Sequence, residues 1–430
     1  MGFRPRPAHI LVLGCLSYVL VGLLFLLLPI SQEKPAHWLD HLFTATSAVS
    51  TTGLVTIDPG STYNWFGEVI LVLLFQLGGL GYMTATSFVI LAANKKLNDS
   101  RISILKSAFS LPKSIGIIHF VRNLFVFTVV AEVIGAILLY PHFRSAGVEY
   151  PMWSAIFHSV SAFCTAGFSL FPTSFEGFKD NLSINLILSV LAYLGAIVFT
   201  DVWAKIRNPL RRLTFTTKTI LVVTLALSLT GTLLIFLLEP SIQSFPAGER
   251  FLVAFFQTMT ASTTLGFNTL PIAKLSLPVI MILYFLMFFG ASPAGTGGGL
   301  KSTTLTALVA EIWSHLRGYQ KTSLVGHEIP GHRIRAASMS ATCYALVLGL
   351  GIFGLTLAMP SANFEWIIFE AISAIGTVCM SMGLTAELTG PAKGVSIALM
   401  YIGRIGVVTF GLSMVAPKLF QKPKKSDLAI

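Results

Sequence analysis

FTATSAVSTTG, residues 43–53, does not stand alone in this chain. FHSVSAFCTAG follows at 157–167, FQTMTASTTLG at 256–266 and FEAISAIGTVC at 369–379. Each begins with Phe and carries Ser or Thr four residues later. Ala follows at the fifth place and Thr at the eighth. Three end in glycine (Gly53, Gly167, Gly266), and the fourth ends in Cys379. Repeats of this kind set the architecture before any single motif does.

The segments lie between long apolar runs. Hydrophobic residues make up 54% of the 430 residues and charged residues 11%, whereas soluble domains carry about 25% charge. Runs at 9–30, 67–93, 119–140, 183–204, 218–238, 275–291, 336–358 and 395–416 are of spanning length, since a helix needs about 20 apolar residues to cross a bilayer. In lipid they must be helices, because backbone polar groups find partners only within the segment. The first run follows Arg4 and Arg6 with no small-residue cleavage site after it, and reads as a retained helix.

The net charge of +11 is distributed by loop. With the N-terminus inside, outside segments hold only Lys34, Arg144, Lys179, Arg250, Lys274 and Lys393. The remaining Lys and Arg, Arg404 apart, fall inside. This positive-inside bias predicts both termini in the cytoplasm. No basic domain stands apart from the membrane runs, so nucleic-acid binding is excluded as a reading.

Each repeated segment is too short and too polar to span. The pattern predicts a short re-entrant half-helix followed by a Ser/Thr-rich non-helical strip, tolerated at membrane depth only where it is protein-buried or lines a watery path. The fold class is therefore an all-α polytopic membrane protein. Four tandem helix–pore-loop–helix units, with eight spanning helices and four re-entrant half-helices, surround one central pore. The boundaries read 1–93, 94–204, 205–313 with a broken second helix, and 314–430 with a short tail. Second helices echo one another at 78–84, 194–200 and 402–409.

Four strips presenting backbone carbonyls form a dehydrating ring for a cation. Glycine suits the final slot because it takes a positive backbone angle at little cost. The half-helices aim negative C-terminal ends at the ring. Close packing of small residues between membrane helices is the plainer reading for any one segment, but it does not account for four copies at matched offsets.

The strips Ser50-Thr51-Thr52-Gly53, Cys164-Thr165-Ala166-Gly167, Thr263-Thr264-Leu265-Gly266 and Gly376-Thr377-Val378-Cys379 resemble the pore signatures of the Ktr/Trk/HKT potassium transporters. Length and tail are similar to the KtrB-type bacterial subunit. The resemblance implies potassium held at the strip carbonyls and passive or sodium-influenced uptake across the bacterial plasma membrane. It also implies a homodimer on a cytoplasmic nucleotide-binding ring of KtrA/TrkA type, in contact with membrane lipid. It implies no organic cofactor.

The stretch Gly290-Ala291-Ser292-Pro293-Ala294-Gly295-Thr296-Gly297-Gly298-Gly299 cannot stay helical. By resemblance it matches the intramembrane gate loop. An inert kink is a second reading. A phosphate loop is a third, but Leu300 replaces its second glycine and no strand precedes it. Arg404 is the basic residue within a predicted span, where charge is costly and usually faces a cavity or partner. By resemblance it lies below the filter near the gate loop and sets a barrier to cations; a snorkelling arginine is the alternative. Glu132 reads as a packing acid or a proton relay. Glu370 is expected at the start of a half-helix, where it could concentrate cations.

The basic, histidine-bearing loop 313–335 is a docking surface for a cytosolic partner or a lipid-headgroup contact. The scattered cysteines predict no disulfide framework, and no catalytic constellation is present. A proton- or sodium-coupled carrier of another small solute remains the competing function. The four repeats share one orientation, which favours a central pore. Cys379 in the fourth glycine slot predicts a less regular strip and weaker potassium-over-sodium discrimination.

Overall fold

The computed structural model describes residues 7–81, 117–196, 213–289, 292 and 295–414. Gly290, Ala291, Pro293 and Ala294 of the glycine-rich loop lie outside them.

The chain is a succession of helices. Unit one holds α1 (Pro7–Leu26), α2 (Trp38–Ser50) and α3 (Trp65–Leu80). Unit two holds α4 (Ile117–Ser145), α5 (Pro151–Phe163) and α6 (Leu182–Ala196). Unit three holds α7 (Phe215–Leu238), α8 (Ala247–Thr263) and α9 (Leu277–Phe288), and α10 (Ser302–Leu316) follows its break. Unit four holds α11 (Gly331–Ala358), α12 (Phe364–Gly376), α13 (Gly390–Ile405) and α14 (Val407–Met414). A small hairpin, β1 (Ser323–Leu324) with β2 (His327–Glu328), joins units three and four.

The first helix of every unit is long and apolar enough to cross a membrane: Ala8–Leu26, Val121–Ser145, Phe215–Leu238 and Gly331–Ala358. Among the described residues the second helices are shorter. Those of units one to three are described over only 16, 15 and 12 residues. The fourth bends by 100° between α13 and α14. The cause is glycine: Gly406 takes φ +91°, and Gly81 takes φ +77° at the matching end of α3. A left-handed glycine stops a helix without a side-chain clash. Hydropathy alone reads straight through both positions.

The repeat signature is a helix-capping device. In each unit the residue nine places after the Phe donates its N–H to the Ser or Thr carbonyl four places after it. These bonds are Thr52 to Ser47 (2.8 Å), Ala166 to Ser161 (2.9 Å), Leu265 to Thr260 (3.0 Å) and Val378 to Ser373 (3.0 Å). That is the six-to-one bond of a Schellman cap. It requires a left-handed residue between, and Thr51, Thr165, Thr264 and Thr377 take φ between +48° and +60°. Left-handed geometry costs a non-glycine residue roughly 1–2 kcal/mol, so four matched instances mark a constrained site. The repeated Phe43, Phe157, Phe256 and Phe369 are fully buried, as are Ala48, Ala162, Ala261 and Ala374.

The echoed second helices touch these caps. A Cβ added at Gly78, Gly195 or Gly403 would strike the carbonyl of Val49, Phe163 or Ile375. Each struck carbonyl lies six residues after its repeat Phe, so the same backbone-to-backbone seat recurs in units one, two and four.

The units close into a ring. Trp153 Nε1 of unit two donates to Glu68 of unit one. The Asn268 amide of unit three donates to Glu176 of unit two at 2.8 Å. The Tyr284 hydroxyl of unit three donates to the Glu365 carbonyl of unit four at 2.8 Å. Lys393 of unit four pairs with Asp40 of unit one.

Gly403→Ala is expected to destabilise the detergent-solubilised protein by about 1–3 kcal/mol, the usual cost of overpacking. Gly349→Ala, in open space on α11, is expected to be neutral or slightly stabilising. Thermal unfolding followed by monodispersity checks both; equal midpoints for the two variants would refute the seat.

Candidate ion pathway

The four caps bring the expected strip residues to one place. The thiol of Cys379 lies 3.6 Å from the Thr51 carbonyl oxygen, 3.8 Å from that of Thr165 and 3.7 Å from that of Thr264. Three threonine carbonyls from three units therefore aim at one point. Backbone carbonyls arranged in a ring are the chemistry that replaces a cation's water shell. The half-helices deliver their negative ends there.

Gly53, Gly167 and Gly266 follow the threonines by two residues, with φ +65°, +66° and +85°. Cys379 takes φ +71°. The expectation of an irregular fourth strip is thus overturned: the backbone matches the other three, and the cap at Ser373 is intact. The glycines are also needed for a reason beyond φ. A Cβ on Gly53 would meet the Ala166 carbonyl, one on Gly167 the Leu265 carbonyl at 2.9 Å, and one on Gly266 the Val378 carbonyl at 2.7 Å. Each glycine abuts the next strip around the ring.

The flanking strip residues support the ring from behind. The Ser50 and Thr52 hydroxyls bond each other at 2.6 Å. The Thr263 hydroxyl returns to the Met259 carbonyl at 2.7 Å. Ala166, Leu265 and Val378 are fully buried, and Gly376 ends α12. Cys164 donates to Gln76 Oε1 at 3.1 Å, and the Gln76 amide donates to Glu132 at 3.1 Å. Glu132 therefore buttresses the second strip within a hydrogen-bonded cluster.

Glu370 is not at a helix start. Asn363 caps α12 by accepting from the Glu365 N–H, which places Glu370 in mid-helix, 2% exposed. Its carboxylate accepts from Ser381, from the Met382 N–H at 3.1 Å and from the Thr385 hydroxyl at 2.6 Å. It ties the segment after the fourth strip to its own half-helix.

On the glycine side of the ring lies a vestibule of about 480 Å³. Asp58 and Glu176 line it, and among the described residues no Lys or Arg does. An acidic, partly enclosed entrance raises the local cation concentration. Sequence reasoning missed both acids, because they follow their strips at unmatched distances.

On the threonine side, the glycine-rich loop crosses beneath the ring. Ser292 donates to the Ala196 carbonyl, with its hydroxyl at 2.6 Å, and the Thr296 N–H donates to Gly195 at 2.9 Å. Both acceptors lie in the last described turn of α6. The Thr296 hydroxyl sits 3.1 Å from that of Thr165. Gly298 runs so close to Thr377 that a Cβ would clash with it, and Gly299, at φ +68°, lies against Gly376. Lys301, also missed, donates to the Gly297 carbonyl at 2.6 Å. That ammonium satisfies the loop's own backbone, and α9 rather than a strand precedes it, so the phosphate-loop reading fails.

Arg404 joins these parts. Its guanidinium donates to the Thr51 hydroxyl at 2.9 Å, and also to the Thr296 and Gly78 carbonyls. One cation thus links the first strip, the crossing loop and the end of α3, where positive charge suits a helix C-terminus. It faces the interior, and the snorkelling alternative fails.

His158 is structural: Nδ1 donates to the Ser154 carbonyl at 2.8 Å and Nε2 accepts from the Leu170 N–H at 3.2 Å. Among the described residues, no group of His, Cys, Asp and Glu could hold a metal ion.

Residues 19–422 match the family described as TrkH, cation transport protein. The chain belongs to that family, and is a multi-pass membrane protein of a transporter class. It is 35% identical to the Ktr system potassium uptake protein B of Bacillus subtilis, over 99% of this chain and 95% of that protein. It is 33% identical to the protein of the same name in Vibrio alginolyticus, over 97% and 92%. It is also 33% identical to the potassium/sodium uptake protein NtpJ of Enterococcus hirae, over 96% and 93%. The crystal structure of the potassium transporter TrkH from Vibrio parahaemolyticus shares the fold, with TM-score 0.77 at 22% identity, over 96% of this chain and 86% of that one.

Glu370→Ala is expected to leave its buried donors unsatisfied, at about 1–3 kcal/mol each. Its thermal midpoint should fall clearly, with Glu370→Gln between it and the wild type because one acceptor oxygen survives. An unchanged midpoint for the alanine variant would remove the carboxylate as the anchor.

Proposed function

We propose that this chain takes up potassium through a central, channel-like pathway. The carrying observation is the convergence of the Thr51, Thr165 and Thr264 carbonyls on a single point. The names of its relatives supply the ion. The acidic vestibule and the negative helix ends favour cations over anions. A carrier for another solute would need a binding cavity at the repeat interface, whereas these three carbonyls close to within 3.6 to 3.8 Å of a single sulfur atom.

In this reading the strips Ser50–Gly53, Cys164–Gly167, Thr263–Gly266 and Gly376–Cys379 form the selectivity filter. The units run 1–93, 94–204, 205–313 and 314–430, and sodium acts as a modulator. The loop 290–299 is the gate, held shut by Arg404 and by its bonds to Gly195 and Ala196. The termini face the cytoplasm of a bacterium, and the protein works as a homodimer on a nucleotide-binding regulatory ring. The word "system" in its relatives' names supports such a partner.

Rubidium uptake in a potassium-transport-deficient bacterium tests the pathway. Gly53→Asp and Gly167→Asp are each expected to abolish uptake, since each places a side chain against the next strip. Uptake that survives both with unaltered ion preference would overturn it. Removing Gly297 and Gly298 is expected to raise the uptake rate by freeing the crossing loop; an unchanged rate would remove that loop as the gate.

A further inference from the structure

The three filter glycines do more than border one another: their missing side chains all point at Cys379. A Cβ built on Gly53 would lie 2.7 Å from the Cys379 Cβ and 2.9 Å from its Sγ. Cβ atoms built on Gly167 and Gly266 would overlap the Cys379 Cβ as well. The side-chain directions of all four slots therefore meet at one point. That point is the axis of the ring, and the three threonine carbonyls stand 3.6 to 3.8 Å from the sulfur that occupies it.

We propose that the Cys379 side chain occupies the ion's own position and is the residue that limits permeation through this filter. The inference rests on the pathway reading above. A thiol is a weak donor and one S–H cannot serve three acceptors, so hydrogen bonding does not explain the placement. Position on the axis does. Sulfur in contact with three carbonyls excludes a dehydrated cation from the same volume. Turning χ1 does not clear the way, because the Cβ itself stands among the three glycines. For an ion to pass, the fourth strip must carry its Cα–Cβ bond away from the axis. The caps at Thr51, Thr165 and Thr264 hold the other strips unchanged meanwhile. Glycine in the same backbone conformation presents no such atom, and the left-handed angle already suits it. Replacing the cysteine with glycine should therefore open the path without disturbing the ring.

The test is the initial rate of rubidium uptake in the same bacterium, normalised to the protein present in the membrane. Cys379→Gly is expected to raise the rate at least about tenfold over a slow wild type, equivalent to about 1.4 kcal/mol of barrier. Cys379→Ser keeps the Cβ and carries Oγ in place of Sγ, and is expected to stay near wild type. A glycine variant no faster than wild type, or a serine variant as fast as glycine, would overturn the proposal while leaving the pathway intact. No uptake by either wild type or glycine variant would instead overturn the pathway. A second measurement does not depend on how well the glycine variant folds. Methyl methanethiosulfonate lengthens the thiol on the axis, and is expected to abolish wild-type uptake. Unchanged uptake once mass spectrometry shows Cys379 modified would also refute the stopper.

Discussion

A helix that ends in the interior of a protein leaves its last carbonyls without partners, and this structure contains four such buried ends meeting at one place. Each is resolved by the same cap: a left-handed threonine turns the chain, and the N–H of the residue after it returns to the Ser or Thr carbonyl five residues back. The turn that satisfies the helix also swings the threonine carbonyl inward. The ring of carbonyls is thus a by-product of finishing the helices, and the ion chemistry proposed for it comes from the backbone rather than from specialised side chains. The burial of the repeated Phe and Ala, and the seating of Gly78, Gly195 and Gly403 on the half-helix ends, all serve to hold those four ends in position.

The layer beneath the ring is asymmetric. One loop, from the third unit alone, crosses toward the second and fourth strips, and one arginine from the fourth unit ties that loop to the first. The loop is fastened by backbone groups and small hydroxyls rather than by packed apolar side chains. Such contacts can be exchanged for water one at a time, which suits the gate proposed for this loop. Gly298 and Gly299 are required there because the backbone itself passes against Thr377 and Gly376.

Much of this was legible in the sequence because capping is local. Phe, Ser, Ala and Thr at fixed offsets mark a helix end in all four copies. Arg404 was legible because charge in a span demands an interior partner. What the sequence concealed were properties of several segments at once. The φ preference at Cys379 was weighed from its own residue type, but the direction of its Cβ matters only relative to three distant glycines. Asp58 and Glu176 meet in one vestibule although nothing in their spacing links them. Hydropathy reads the fourth second helix straight past Gly406, since a left-handed glycine changes direction without changing polarity. Glu370 was misplaced because the start of α12 is set by Asn363, whose capping amide is a quieter signal than the acid itself.

Joining the four units in one polypeptide has a consequence for the axial slot. In a ring of four identical subunits, any residue placed there would appear four times, and four side chains aimed at one point could not be accommodated. A tandem chain encodes each slot separately. It can set a single atom group on the axis, keep three positions bare, and so alter the narrowest part of the path by one substitution. Covalent linkage of the repeats thus frees this architecture from symmetry at the very place where symmetry would forbid variation.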